Sequence, residues 1–136
     1  MMKQHLLTMM TALMLSACMA NAAWTRIDES DDTVVYADID SLKRSANTAT
    51  LWHLNDLKTA RQTLITMSAG QSYLSTKVQQ EFDCQEQKVR TLSFAAHSRK
   101  MGSGNVVLAD DEATHWVSVF PGSIVPLLFE MACGKP

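Results

Sequence analysis

Pro121-Gly122-Ser123-Ile124-Val125-Pro126-Leu127-Leu128-Phe129-Glu130-Met131-Ala132-Cys133-Gly134 is the stretch whose reading decides the fold. Pro121-Gly122 stops whatever precedes it, and Ser123 stands where a helix N-cap belongs. Pro126 is tolerated in a first helical turn, because an N–H there has no intrahelical partner. Ile124, Leu127, Leu128 and Met131 follow helical spacing, while Val125, Phe129, Ala132 and Cys133 occupy most of the remaining surface. Glu130 is the one charged residue among them, so the helix is buried around much of its circumference. Gly134 suits the position after the last turn.

A helix this apolar needs a partner surface, and the chain before it supplies strands. Trp24–Ile27 and Thr33–Tyr36 are short β-prone runs joined by the acidic turn Asp28–Asp32, which predicts an antiparallel hairpin. Asp38–Arg44 is polar with two apolar points and suits a connector or a single helical turn. Thr48–Leu57 is a longer strand, with Thr50, Trp52 and Leu54 as the better core face. Lys58–Ser75 has no clear period and is the longest candidate loop. Lys77–Cys84 alternates with Val78, Phe82 and Cys84 on one side. Gln85-Glu86-Gln87 is short enough for a hairpin turn into the strand Lys88–Lys100, where Leu92, Phe94 and Ala96 share a face. Gly102-Ser103-Gly104 interrupts, and Val106–Leu108 resumes. Asp110–Thr114 reads as a polar loop and His115–Phe120 as a last extended piece. Strands followed by one terminal helix predict an α+β fold, with the helix laid on an antiparallel sheet.

The opposite end of the chain carries a different signal. Lys3 gives a basic start, Leu6–Leu15 is a short apolar run, and no acidic residue precedes Asp28. The run falls short of the roughly 20 apolar residues that span a bilayer, so residues 1–22 read as a signal peptide. Two cleavage sites overlap. Leu15-Ser16-Ala17-Cys18 has the form of a lipobox, in which Cys18 would be lipidated; Ala20-Asn21-Ala22 is a small-x-small site, cut before Ala23. A single domain, residues 23–136, then remains.

Export makes the other two cysteines a pair. In an oxidising compartment Cys84 and Cys133 read first as a disulfide. The bond would close a loop of about 50 residues and pin the terminal helix to the strand ending in Phe82-Asp83-Cys84, a constraint of about 4 kcal/mol in the chain-entropy model. Neither C-x-x-C nor a histidine spacing suited to zinc is present, so no metal or cofactor is expected.

Removing residues 1–22 takes Lys3 from the 12 basic residues and none of the 14 acidic ones, which leaves 11 against 14 and a net charge of −3. The basic residues are dispersed. A nucleic-acid partner, which needs a basic stripe, is therefore not expected. Nor is electrostatic attachment to anionic lipid.

The order of landmarks resembles the surface-adhesin protein E family. The matching residues are Ala23-Trp24, Thr33-Val34-Val35-Tyr36-Ala37-Asp38, Leu51-Trp52, Ser75-Thr76-Lys77, Glu81-Phe82-Asp83-Cys84, Val89-Arg90, Met101-Gly102-Ser103-Gly104, Trp116 with Pro121-Gly122-Ser123, and Cys133. The resemblance implies about six antiparallel strands with a C-terminal helix tethered by the disulfide. It also implies an outer-membrane lipoprotein or periplasmic location and a binding role toward host or extracellular proteins, with the partner unidentified. No compact adhesive motif is visible, and Lys58–Ser75 is where a difference in partner binding would sit. A homodimer is compatible with the residues.

Other readings of single residues are weaker. His53, His97 and His115 could serve a Cys–His pair only if Cys84 were free, and no nucleophile, phosphate-loop or dinucleotide motif occurs, so the chain is not expected to be an enzyme. Asp28–Asp32 and Asp110–Glu112 lack calcium-loop spacing and read as solvated turns. Trp24, Trp52 and Trp116 could stack on a sugar, but at strand positions they read first as core. The alternative to an adhesin is a periplasmic accessory or stress protein, or a small inhibitor of an envelope lytic enzyme.

Overall fold

The computed structural model describes residues 23–64 and 70–134. The predicted signal peptide, both cleavage sites and Cys18 lie outside the described residues, as do residues 65–69 of the predicted loop.

Six antiparallel strands follow one another across the sheet in chain order: β1 (Trp24–Glu29), β2 (Thr33–Ser45), β3 (Thr48–Gln62), β4 (Ser72–Asp83), β5 (Lys88–His97) and β6 (Val106–Asp110). A two-residue strand, β7 (Val117–Ser118), pairs with the start of β5. The one α-helix among the described residues, α1 (Val125–Cys133), follows the strands. The α+β arrangement read from the sequence is the one observed.

α1 begins and ends much as its residues dictate. Ser123 Oγ accepts the Val125 N–H at 3.3 Å although the helix proper starts beyond Ile124, and Pro126 sits in the first turn. Gly134, at φ +84°, sends its N–H to the Glu130 carbonyl at 2.8 Å. Arg44 from β2 donates to the Ala132 carbonyl at 2.8 Å, placing a cation on a terminal carbonyl that has no partner inside the helix.

The helix buries Leu128, Phe129 and Ala132 against Ala37, Ala49, Leu51, Phe82 and Val89 of the sheet. Phe82 and Phe129 meet edge to face with ring centroids 6.0 Å apart. Beside this core Cys84 and Cys133 form the expected disulfide, with Cα atoms 5.5 Å apart.

Four expectations change. Asp38–Arg44 is no connector but the middle of β2, whose register against β3 breaks between Asp38 and Lys43. Ser41 bridges the break: its hydroxyl donates to the Asp38 carbonyl at 2.6 Å and accepts the Trp52 N–H at 2.9 Å, which replaces ladder bonds the bulge removes. The β3 face expected to be core is also revised. Ala49, Leu51 and His53 are the residues buried on the helix side, whereas Leu54 is buried on the other face.

The cause is a second cover. The segment around the 3-10 turn Lys100–Gly102 folds over the far end of that opposite face: Lys100 Nζ donates to the Leu57 carbonyl, the Met101 N–H donates to Asp56, and the Gly102 N–H donates to Ser75 Oγ, each at 2.8 Å. The sheet is therefore covered by α1 on one face at one end and by this turn on the other face at the other end.

The third revision concerns Lys58–Ser75. Its flanks are strand, since Arg61 pairs with Tyr73 and Gln62 with Ser72. The fourth concerns β5. Gln80 pairs with Thr91 and Gln79 with Ser93, so Leu92 is an extra residue in a bulge and shifts out of step with Phe94 and Ala96.

Candidate functional site: an open face of the sheet

Diagonal covering leaves part of the second face open, and the strand register decides what stands there. Trp24 lies opposite Asp38, and Asp38 lies opposite Trp52. Directly opposed residues on neighbouring strands present side chains to the same face. Asp38 is therefore flanked by two indoles. Lys77 on β4, opposite Leu54 and two residues from Trp52's partner Gln79, completes a cleft of about 260 Å³. All four side chains are half-buried.

The polar groups of the cleft are not spent on each other. Asp38 Oδ1 is buried without a hydrogen-bond partner, and among the described residues neither Asp38 nor Lys77 forms an ion pair. The end of the Lys77 side chain runs close over Gly102, where an added Cβ would press on it, and Gly102 stands at φ +68°, which favours glycine.

Trp116 belongs elsewhere. It packs under the Arg90 guanidinium, 4.5 Å from its ring centroid, while Arg90 pairs with Glu81 at 2.6 Å.

The histidines are not gathered into a site. His53 is buried on the helix-side face, and burial lowers its pKa from 6.5 to about 4, with Gln80 a smaller opposing influence. His97 lies beneath the 3-10 turn, its pKa also lowered, first by burial and then by the Lys77 charge. His115 is exposed. Cys84 is not a free thiol.

The acidic segments are hydrogen-bonded turns. Ser30 and Thr33 hydroxyls donate to Asp32 and, with Arg61, hold its carboxyl below the usual range. Asp110 accepts the Glu112 N–H at 2.9 Å, and Ser93 donates to Asp111 at 2.5 Å. Among the described residues no three histidine, cysteine or acidic side chains gather where a metal ion could sit.

The chain matches the family model of surface-adhesin protein E over residues 24–134. The chain belongs to the surface-adhesin protein E family. It is thus related to surface adhesins, not to an enzyme family, and is an adhesin-like surface protein. Among solved structures it is similar to Haemophilus influenzae protein E. In crystal form II the identity is 11%, with 80% of this chain and 95% of that chain covered and a TM-score of 0.57. A second structure of that protein gives 12%, 83%, 97% and 0.56. Protein E from a non-typeable strain gives 11%, 83%, 85% and 0.54. Identities this low establish a shared protein E fold and nothing finer. No curated protein matches the chain.

Of the residues singled out beforehand, the structure joins Cys84 to Cys133 and places Trp24 and Trp52 at an open cleft rather than in the core. Asp38 and Lys77 escaped notice as site residues. The sequence places Asp38 in a polar connector and Lys77 on the polar side of an ordinary strand. Their common signal is the cross-strand register, which one strand read alone does not contain.

Proposed function

We propose that this protein is an exported binding module, displayed at the cell surface, that engages an extracellular protein and performs no catalysis. Membership of the surface-adhesin protein E family across residues 24–134 is the observation that carries this reading. The signal segment is cut at the lipobox Leu15-Ser16-Ala17-Cys18, before Cys18, and a lipid on Cys18 anchors the domain of residues 23–136 to the outer membrane through residues 18–22. Among the described residues no helix is long and apolar enough to cross a membrane, and attachment through Cys18 requires none. The open sheet face, with two half-buried indoles, is the surface best suited to a partner, since aromatic side chains give contact area at little loss of freedom.

The test is the mass of the mature N-terminus together with palmitate labelling and protease treatment of whole cells. A lipidated Cys18 and cleavage by external protease are the expected results. An unlipidated protein starting at Ala23 and shielded from protease would sink this reading. Ala20-Asn21-Ala22 favours that second outcome, a periplasmic accessory protein or small inhibitor of an envelope lytic enzyme.

A further inference from the structure

We infer that the cleft formed by Trp24, Asp38, Trp52 and Lys77 is a carbohydrate site that takes one pyranose ring. The inference rests on the binding-module reading and names the class of ligand the open face receives.

Each lining group has a use on a sugar and is idle without one. The two indoles stand on either side of Asp38 and offer apolar π-surfaces, to which the C–H faces of a pyranose are complementary. Asp38 lines the cleft with a carboxylate that accepts no hydrogen bond among the described residues, so a donor brought by a ligand finds an unused acceptor there. Lys77 provides donors and no acceptor. A sugar hydroxyl both donates and accepts, so neighbouring hydroxyls of one neutral ring satisfy both residues together.

Charge and size narrow the ligand further. The cleft carries one carboxylate and one ammonium, so a simple cation is opposed by Lys77 and a simple anion by Asp38. At about 260 Å³ the space falls below the roughly 300–1,000 Å³ of sites for larger organic ligands, and holds a single ring rather than a chain of them. The remaining competitor is a zwitterion such as a free amino acid, which would also meet both charges.

Nuclear magnetic resonance of the indole N–H groups decides the matter, because Trp116, packed under Arg90, does not line the cleft and serves as an internal control. The full domain is titrated with the methyl glycosides of mannose, galactose and N-acetylglucosamine, and separately with glycine and phenylalanine. The expected result is a saturable shift of the Trp24 and Trp52 signals with at least one glycoside, while Trp116 stays still. Trp24→Ala should weaken that glycoside roughly 2- to 10-fold. Asp38→Ala should abolish the response, and Asp38→Asn, which keeps an acceptor, should restore part of it. Unchanged circular dichroism establishes that the variants fold.

No glycoside response, a response only to the amino acids, or one that survives Asp38→Ala overturns the inference. A glycopeptide and a peptidoglycan disaccharide then tell a host source of the ring from a bacterial one. Surface display with capture of an extracellular protein unaffected by Trp24→Ala and Asp38→Ala would leave the binding-module reading standing and remove this one.

Discussion

His53 shows how far one buried side chain can set the behaviour of a fold. It is 4% exposed and Gln80 compensates its burial only in small part, so the charged form is strongly disfavoured. The unfolded chain takes up a proton near pH 6.5 and the folded chain only near about 4. Stability from this difference is complete above pH 6.5 and is lost as the pH falls toward 4, up to about 3 kcal/mol. The lowered pKa of His97 acts in the same direction. The urea midpoint should therefore fall between pH 7 and pH 4.5, and His53→Leu should make that fall shallower. Equal slopes in the two proteins would refute the assignment. The imidazole could be seen in the sequence as one face of an alternating strand, but its burial could not. It depends on Ala37 and Val78 standing opposite it on the neighbouring strands.

At the scale of elements, α1 and β4 are held together twice, by apolar packing and by the Cys84–Cys133 bond. The packing is the cohesive part, since Leu128 and Ala132 are fully buried against the sheet. The bond acts mainly on the unfolded chain, where a link across a separation of 49 residues removes about 4 kcal/mol of conformational freedom at most. Cys84→Ser combined with Cys133→Ser should lower the unfolding free energy by roughly 3–4 kcal/mol, with the far-ultraviolet spectrum retained at low temperature. A loss below about 1 kcal/mol would mean that packing alone fixes the helix. Helix and staple were legible because a cap, a proline, an apolar period and a cysteine are all local marks. The β2 bulge was not legible, because Ser41 stabilises it by reaching the Trp52 backbone of another strand.

For the whole molecule, the two covers make β3 and β4 the elements shielded from both sides. Leu51 and Phe82 face α1, while Leu54, Asp56 and Ser75 lie under the 3-10 turn. Amide hydrogen exchange should be slowest within Leu51–Asp56 and Ser75–Phe82, and faster in β1, β6 and β7 at the margins. Mass spectrometry of exchanged peptides checks this, and protection of β1 equal to that of β3 would contradict it. The same geometry opens the cleft, because a sheet covered diagonally must leave the other corner of each face uncovered.

The sequence by itself determined the export signal as an expectation, the α+β class, the terminal helix and the cysteine pairing. Each of these follows from local period, composition or compartment. Only the tertiary structure decided which residues of β3 are core, that Asp38 lies within a strand, and that Trp24 and Trp52 flank it in the open. Alternation in a strand says which residues share a face; it does not say which face will be covered, or from which end. That depends on where α1 and the Lys100–Gly102 turn come to rest, and so on contacts between residues far apart in the chain.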